Sequence, residues 1–237
     1  MNQPLITVIL PVYNSERYIA KALDSVFDQT YRPLDVVVIN DGSTDKTASV
    51  VSQYQQGELP LRYFYQPNAG PAASRNRGVA LAQGDLFAFL DADDWWHPEK
   101  LKRQVTLLAQ QPALGYVLSH MHVQQEADTP WPTALNQAHY QNDPPCVLPS
   151  ALLVRREIFQ QIGEFDAHYR YCDDTDWFLR AKDAGVPMAI VPEPLVYKRI
   201  HATNLSHTPA MTQETLRAVC ASVQRRRSPM KAVVQPA

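Results

Sequence analysis

Short apolar runs alternate along the first half of the chain with segments of helical hydrophobic spacing. Residues 5–12 and 34–39 are apolar, β-branched runs of the kind that form buried strands. Between them, apolar residues recur every three or four positions from Ile19 to Phe27, and Ser15 is a residue type that caps helices. The pattern predicts a strand, a short loop and a helix capped by Ser15.

The same alternation continues as far as a predicted helix that begins at Pro98. The other elements predicted in this stretch are helices over 44–55 and 72–83 and strands over 62–66 and 85–90. Strands that alternate with helices in this way form βαβ units with right-handed crossovers. The predicted fold class is therefore a single α/β domain around a mainly parallel central sheet.

Beyond about residue 121 the alternation weakens. Residues 128–149 hold five of the 19 prolines, which predicts an irregular surface loop or lid. The elements predicted after it are a strand over 150–154, helices over 156–162 and 175–184, and a C-terminal helix from Pro209. We therefore divide the chain into a domain over 1–208 and a C-terminal helix with a basic flexible tail over 209–237.

Composition excludes several classes of protein. With 22 Lys+Arg against 24 Asp+Glu, the net charge of −2 does not fit a nucleic-acid binder that relies on bulk positive charge. No apolar stretch is long enough for a transmembrane helix, and the N-terminus lacks a signal-peptide pattern, so we expect a cytoplasmic protein. Cys146, Cys172 and Cys220 lack metal-site spacing and are interpreted as reduced thiols.

Polar clusters follow four predicted strands at the points where the strands end. They are Tyr13-Asn14, Asp41, the loop at Asn68 and the acidic run that begins at Asp91. In a parallel sheet the carboxyl ends of the strands form one edge, where ligands bind. The chain has neither a P-loop motif nor a glycine-rich dinucleotide motif after its first strand. The convergence of the four clusters therefore predicts a ligand site of another kind.

Asp91 and Asp93 can hold a divalent cation and a bound diphosphate, because they follow a buried strand and are two residues apart. The spacing alone is weak, since about one Asp-x-Asp is expected by chance in a chain of this composition. A second one occurs at Asp174 and Asp176. The alternative for Asp91 and Asp93 is an acidic turn that caps the next helix.

Two further residues can bind a nucleotide. Asp41, at the end of a strand, can accept a hydrogen bond from the imide N–H of a base. Arg75, one turn into a predicted helix, can pair with phosphate in a bidentate manner, although a solvent-facing arginine is the simpler interpretation. The neighbouring residues Ser43, Thr44 and Asp45 are typical of a tight turn and a helix cap.

Three carboxylates crowd a predicted helix start at Asp173, Asp174 and Asp176. They can cap the helix, or one of them can act as a general base, because crowded carboxylates raise one another's pKa.

Histidines and arginines in the second half leave further alternatives open. His120 and His122 share a strand face but lack a third metal ligand, whereas His201 can return to the site. A solvated tail is the simpler interpretation of the three arginines at 225–227, and peripheral contact with an anionic membrane stays open.

Five motifs in order resemble those of glycosyltransferase family 2 over residues 5 to about 206. They are Pro11-Val12-Tyr13-Asn14, Asn40-Asp41-Gly42-Ser43-Thr44-Asp45, Asn68-Ala69-Gly70 with Ala73-Ser74-Arg75-Asn76, Asp91-Ala92-Asp93-Asp94 and Asp173-Asp174-Thr175-Asp176-Trp177. The resemblance implies a GT-A fold, which is a Rossmann-like α/β/α sandwich. It also implies a nucleotide-diphosphate sugar donor, Mn²⁺ or Mg²⁺, and inversion at the anomeric carbon.

The resemblance also implies roles for individual residues. Donor binding falls on Pro11, Tyr13, Asn14, Asp41, Asn68, Gly70, Arg75 and Asp91. Among these, Tyr13 and Asp41 hold the base and Arg75 approaches the base and phosphates. Asp93 binds the metal, with Asp91 beside it and His201 near it.

The general base implied by the resemblance is Asp174, the second position of the family's Glu-Asp motif. The first position is Asp173 here instead of glutamate, so the assignment of the base stays open between the two. The implied reaction is transfer of one sugar, foremost from a UDP-sugar, to a glycan or lipid-linked acceptor in polysaccharide or glycolipid assembly. A degenerate nucleotide-sugar-binding module without turnover is the alternative.

In this scheme residues 1–121 bind the donor and residues 122–208 the acceptor. Trp95, Trp96, Trp177 and the loop over 128–149 can stack on acceptor sugars, or the tryptophans can close the core. We expect single-sugar transfer, because the chain lacks the membrane-spanning extensions of the processive relatives.

Overall fold

A computed structural model describes residues 3–55, 60–132, 137–204 and 209–227 of the 237-residue chain. Within these ranges nine strands form one sheet. The strands are β1 (Ile6–Val12), β2 (Leu34–Asp41), β3 (Leu61–Gln66), β4 (Leu86–Phe89), β5 (Trp95–Trp96), β6 (Tyr116–Gln125), β7 (Pro145–Cys146), β8 (Leu153–Arg155) and β9 (Met188–Ile200). The helices are α1 (Ile19–Phe27), α2 (Thr47–Tyr54), α3 (Pro71–Leu81), α4 (Lys100–Gln110), α5 (Gln137–Tyr140), α6 (Arg156–Ile162), α7 (Asp173–Asp183) and α8 (Pro209–Arg227).

The first half of the sheet is parallel, in the order β3-β2-β1-β4. Ile6 of β1 lies opposite Leu34 of β2 and Leu86 of β4. Every residue of β2 and β4 is buried, which is why β4 and the centre of β2, residues 36–39, are continuous apolar runs. The predicted α/β architecture with a mainly parallel sheet is confirmed.

The second half of the sheet joins the first without a break, in the order β4-β8-β6-β9-β5. Strand β8 is antiparallel to both β4 and β6, whereas β6 and β9 are parallel. The chain returns along β9 to pair with the short strand β5. This pairing brings the end of β9 beside residues 91–94, which precede β5 directly.

Several element boundaries differ from the predicted ones, and local hydrogen bonds explain two of them. Ser15 is not the N-cap of α1, because its carbonyl accepts the N–H groups of Tyr18 and Ile19 and forms a turn before the helix. Helix α2 begins at Thr47 instead of 44, since the Asp45 carboxylate accepts the Thr47 N–H at 2.9 Å within the preceding turn.

Further shifts affect the second half. Helix α4 begins at Lys100 instead of Pro98, and residues 149–151 form a 3-10 turn before β8 instead of the strand expected from 150. Helix α7 begins at Asp173 and not at 175, so its first turn carries the acidic cluster.

The C-terminal helix includes the three arginines that we expected in a tail. Arg225 and Arg226 pair with Asp183 of α7 at 2.9 and 3.4 Å, which extends α8 to Arg227. The tail itself, over 228–237, lies outside the described residues. None of the helices described is both long and apolar enough to span a membrane.

Gly78 sets the close packing of α3 on β1. A Cβ atom at this position would lie 2.3 Å from Cγ2 of Ile9, which is fully buried in the centre of the sheet. Gly78→Val is therefore expected to destabilise the fold by about 1–3 kcal/mol through overpacking, which corresponds to a melting temperature lower by at least about 2 °C. Thermal denaturation measures this change.

Ala80→Val is the matched control for this prediction, because Ala80 is exposed on the same helix. The control is expected to cost about 0.5 kcal/mol or less. Equal melting temperatures for the two variants would show that α3 and β1 leave room for a side chain at position 78.

Candidate active site

The loops that follow β1, β2 and β3 meet at one edge of the sheet, as the sequence predicts. The Asn14 N–H donates to Ser43 Oγ at 2.9 Å, and Asn14 Oδ1 accepts the Thr44 N–H at 2.8 Å. The Asn68 side-chain amide donates to the Asp41 carbonyl at 3.0 Å. These contacts place Asn14, Asp41 and Asn68, three of the residues predicted for donor binding, in one cluster.

Asp41 fixes the shape of the loop after β3. Its Oδ1 accepts the Gln66 side-chain amide at 2.7 Å and the Ala69 N–H at 2.8 Å, and its Oδ2 accepts the Gly70 N–H at 2.8 Å. Gly70 has a φ of +91°, a conformation that favours glycine. Asp41 is 4% exposed, and its Oδ2 accepts one hydrogen bond among the described residues, which leaves it the capacity to accept a second from a ligand N–H.

Two other residues predicted for donor binding differ in exposure. Tyr13 is 52% exposed at the start of the first β–α loop, directly after β1, where its ring is free to cover a base. Pro11 lies within β1, opposite Ile39 of β2, and is only partly exposed.

The acidic loop after β4 gathers three carboxylates. Oxygen atoms of Asp91, Asp93 and Asp94 lie within 4.8 Å of one another, and this is the metal-type cluster found among the described residues. Asp91 and Asp93 are partly exposed, whereas Asp94 is buried. Carboxylate oxygens are the donors that Mn²⁺ and Mg²⁺ prefer, so the donor set fits either ion.

Asp94 holds this loop in place through contacts on its buried side. It accepts hydrogen bonds from Ser150 Oγ at 2.8 Å and from the Arg199 N–H at 3.2 Å, and it pairs with Lys198 at 3.2 Å. Ser150 Oγ in turn accepts the Asp91 N–H at 3.2 Å. Burial raises the pKa of Asp94 to about 7, although Lys198 acts in the opposite direction. Asp94 therefore positions the loop.

Asp93 is held by residues at the end of β9 and just beyond it. Its Oδ2 contacts His201 Nε2 at 3.0 Å and accepts the Asn204 amide at 3.0 Å. Burial acts to raise the pKa of Asp93, but Lys198 and His201 outweigh burial and hold this pKa well below its ordinary value. Since Nδ1 of His201 accepts the Thr203 N–H, its Nε2 is assigned as the donor to Asp93. His201 thus lies beside the predicted metal ligand and orients it.

Arg75 links the acidic loop to helix α7. Its guanidinium donates to Asp91 at 2.8 Å and to Asp173 at 2.6 Å, and Arg75 and Asp173 are both buried. The solvent-facing interpretation of Arg75 is therefore wrong. Burial raises the pKa of Asp173, while Arg75 opposes this rise. The geometry makes Asp173 a structural partner of Arg75.

Asp174 has a different environment from Asp173. It is partly exposed, and within the described ranges it forms no salt bridge. Its Oδ1 accepts the N–H of Thr175 at 2.6 Å in the first turn of α7. Burial, with the negative charge of Asp173, raises the pKa of Asp174 to about 6. A partly exposed carboxyl with such a pKa suits proton transfer near neutral pH.

All three tryptophans predicted as stacking surfaces are buried. Trp177 is fully buried and its indole donates to the Gly163 carbonyl at 3.0 Å, while Trp96 is 2% exposed and donates to the Ser150 carbonyl at 2.7 Å. Trp95 is also buried, and its ring stacks on Tyr197 with centroids 5.3 Å apart. A stacking role for these indoles is wrong. Of the loop over 128–149, residues 133–136 lie outside the described residues.

His120 and His122 do not reach the acidic cluster. Nδ1 of His120 lies 2.6 Å from the Asp143 carbonyl, and Nδ1 of His122 lies 2.8 Å from the Asp143 carboxylate. Sequence reasoning missed Ser150, Lys198 and Asn204. Asn204 alone carried a signal, since it follows His201 closely in the chain.

Comparison with known proteins identifies the same family that the sequence motifs resemble. The Glycosyl transferase family 2 model matches residues 7–163. An uncharacterized glycosyltransferase of Haemophilus influenzae is 40% identical over 111 residues, which is 46% of this chain and 44% of that protein. An uncharacterized glycosyltransferase of Nostoc sp. is 32% identical over 216 residues, which is 84% of this chain and 66% of that protein. This chain thus spans about half to two thirds of the length of these relatives.

Two solved structures share the fold at low sequence identity. TarS of S. aureus in complex with UDP-GlcNAc matches with a TM-score of 0.76 at 22% identity, over 93% of this chain and 66% of that chain. The mannosyltransferase PcManGT of Pyrobaculum calidifontis, in complex with GDP-Man and Mn²⁺, matches with a TM-score of 0.71 at 20% identity, over 95% of this chain and 73% of that chain. At these identities the likeness concerns the fold.

Proposed function

Because this chain belongs to glycosyl transferase family 2 and has the family's GT-A fold, we propose that it is an inverting, metal-dependent glycosyltransferase. It would move one sugar from a nucleotide-diphosphate sugar to an acceptor hydroxyl. The observation that carries the proposal is the bridge from Asp91 through Arg75 to Asp173. The bridge joins the acidic loop, whose carboxylates would hold the cation that meets the diphosphate, to the first turn of α7, which carries Asp174 as the proposed base.

The proposed donor is a UDP-sugar. Support comes from the complexes of fold neighbours with UDP-GlcNAc and GDP-Man, which are both nucleotide-diphosphate sugars. In this chain Tyr13 and Asp41 would hold the base. The residues proposed to line the rest of the donor site are Pro11, Asn14, Asn68, Gly70, Arg75 and Asp91.

Asp91 and Asp93 would hold Mn²⁺ or Mg²⁺, with His201 orienting Asp93. Their oxygen donors fit either ion, and one fold neighbour is a complex with Mn²⁺. When bound, the cation neutralises the charge that develops on the leaving diphosphate.

The proton of the acceptor hydroxyl would pass to the carboxylate of Asp174. The acceptor oxygen then forms its bond to the anomeric carbon while the bond from that carbon to the diphosphate oxygen breaks. A single displacement of this kind inverts the anomeric centre. Asp173 is not proposed as the base, because its carboxylate is buried and pairs with Arg75 at 2.6 Å. Asp173 would instead hold the first turn of α7 against the acidic loop.

The proposed acceptor is a glycan or lipid-linked sugar in cell-surface polysaccharide or glycolipid assembly, bound by residues 122–208. Residues 1–121 would bind the donor. We also propose a cytoplasmic location, which the free thiols of Cys146, Cys172 and Cys220 support.

Donor turnover tests this proposal. Incubation of the purified protein with UDP-sugars and GDP-sugars and Mn²⁺, with water as the acceptor, is expected to release the nucleoside diphosphate from one donor class, and EDTA is expected to stop the release. NMR of the freed sugar is expected to show an inverted anomer first. Release of the retained anomer, or no release from any donor either with water or with simple sugars added as acceptors, would contradict the proposal. The second outcome, combined with tight nucleotide binding, would instead favour the alternative of a binding module without turnover.

A further inference from the structure

Helix α8 is held against helix α7 by its inward face. The Cys172 thiol contacts Thr215 Oγ1 at 3.1 Å, and the Tyr171 N–H donates to the Glu214 carboxylate at 2.7 Å. Ser222, near the other end of the helix, donates to Asp183 at 2.8 Å. The first of these contacts lies one residue before Asp173, so α8 lies directly beside the start of α7.

The opposite face of α8 carries an apolar stripe that nothing in the described residues covers. Leu216 is 60% exposed, Val219 is 42% exposed, Cys220 is exposed and Val223 is partly exposed. Val219, Cys220 and Val223 follow Leu216 by three, four and seven residues, a spacing that places all four on one side of the helix. Six large apolar side chains of the described residues are exposed, and two of them lie on this stripe.

Positive charge borders the stripe. Arg217 and Arg227 are exposed, and the described residues give neither of them a salt bridge. The one acidic residue of α8 is Glu214, which is bound to Tyr171 on the inward side. A second copy of the chain docked on the stripe would therefore bring arginines together without a carboxylate of α8 between them. An anionic bilayer surface offers both an apolar layer and the complementary charge.

We propose that the outward face of α8 docks on an anionic membrane surface. An amphipathic helix lying in the interfacial plane is about 10–12 Å across, so the start of α7 would lie one helix diameter above the lipid. A sugar acceptor linked to a lipid would then present its hydroxyl near Asp174. This last consequence rests on the proposed function, whereas membrane docking itself does not.

Vesicle binding tests the docking surface without donor or acceptor. The full chain is mixed with vesicles of phosphatidylcholine, or of phosphatidylcholine with one third phosphatidylglycerol, and the bound fraction is measured by co-sedimentation. We expect binding to the anionic vesicles that weakens with added salt. The double variant Leu216→Asp with Val219→Asp is expected to bind at least about tenfold more weakly. Arg217→Gln and Arg227→Gln are each expected to weaken binding about fivefold.

Cys220 offers a second readout at the centre of the stripe. Cys146 and Cys172 are buried, so a thiol-reactive, environment-sensitive fluorophore would label Cys220 selectively. Its emission is expected to shift to the blue with anionic vesicles. The matched control is Val147→Asp, since Val147 is 52% exposed outside α8, and this variant is expected to bind as the unaltered protein does.

Three results would overturn the proposal. The first is that the unaltered chain does not bind anionic vesicles. The second is that the double variant binds as well as the unaltered chain, which would move binding to residues 228–237 or elsewhere. The third is that light scattering shows a dimer that the double variant abolishes, while vesicles have no effect. None of these readouts depends on glycosyl transfer, so failure of the membrane proposal and failure of the proposed function are distinguishable.

Discussion

Asp174→Asn is expected to lower the rate of sugar transfer by about 10²–10⁴, because the variant cannot take the proton of the acceptor hydroxyl. Donor binding is expected to stay within about twofold of the unaltered protein, since Asp174 forms no part of the proposed donor site. Measurements of transfer rate and of nucleotide affinity on the same preparation separate the two effects. In the unaltered protein the rate is expected to rise with pH up to about 6, because the pKa of Asp174 lies there and the base must be ionised.

The same variant is expected not to lose stability. Folding raises the pKa of Asp174 from 3.8 to about 6, so the ionised carboxylate destabilises the native state. This destabilisation is absent below pH 3.8, the pKa in the unfolded chain, and complete above pH about 6, the pKa in the folded chain. Removal of the charge at pH about 7 is therefore expected to stabilise the fold by about 1 kcal/mol, or about 2–4 °C in melting temperature. Asp28→Asn, which changes an exposed carboxylate at the end of α1, is the control and is expected to leave both properties unchanged. If Asp174→Asn retains more than about half of the transfer rate, Asp174 is not the general base.

Asp93→Asn is expected to lower both metal-dependent nucleotide affinity and sugar transfer by at least about a hundredfold. Asp93 would supply a direct metal ligand, and its loss would remove part of the charge that holds the cation beside the diphosphate. The measurements are titration of a nucleoside diphosphate with and without Mn²⁺, and the transfer rate at saturating donor.

Stability separates this variant from Asp174→Asn. The variant loses the carboxylate that accepts the hydrogen bond from His201 at 3.0 Å and pairs with Lys198 at 3.9 Å, so the melting temperature is expected to fall instead of rise. Asp28→Asn again serves as the control. Unchanged Mn²⁺-dependent nucleotide affinity in Asp93→Asn would place the cation elsewhere.

The sequence was sufficient to predict the first half of the fold, because each element there has a local sequence signal. Buried parallel strands read as apolar runs, and the turn residues that follow them mark the loops at Asp41, Asn68 and Asp91. Once the strands are parallel, their carboxyl ends must meet at one edge. Convergence of these loops therefore follows from the topology alone.

The rest of the site depends on contacts between distant parts of the chain. Lys198 reaches Asp94 only because β9 returns to pair with β5, and no periodicity in the sequence shows this pairing. Arg75 pairs with Asp173, which is 98 residues further along the chain. A single arginine in a helix looks the same in the sequence whether it is solvated or buried in an ion pair. The base assignment between Asp173 and Asp174 could not be narrowed without that pairing.

Calorimetric titration of the purified protein with UDP, dTDP, GDP and CDP, each with and without Mn²⁺, tests most directly whether the acidic loop is a metal-assisted nucleotide-diphosphate site. We expect one nucleotide, UDP foremost, to bind with an affinity at least about tenfold higher when Mn²⁺ is present. Binding of no nucleotide under any of these conditions, or binding that Mn²⁺ does not change, would contradict the account.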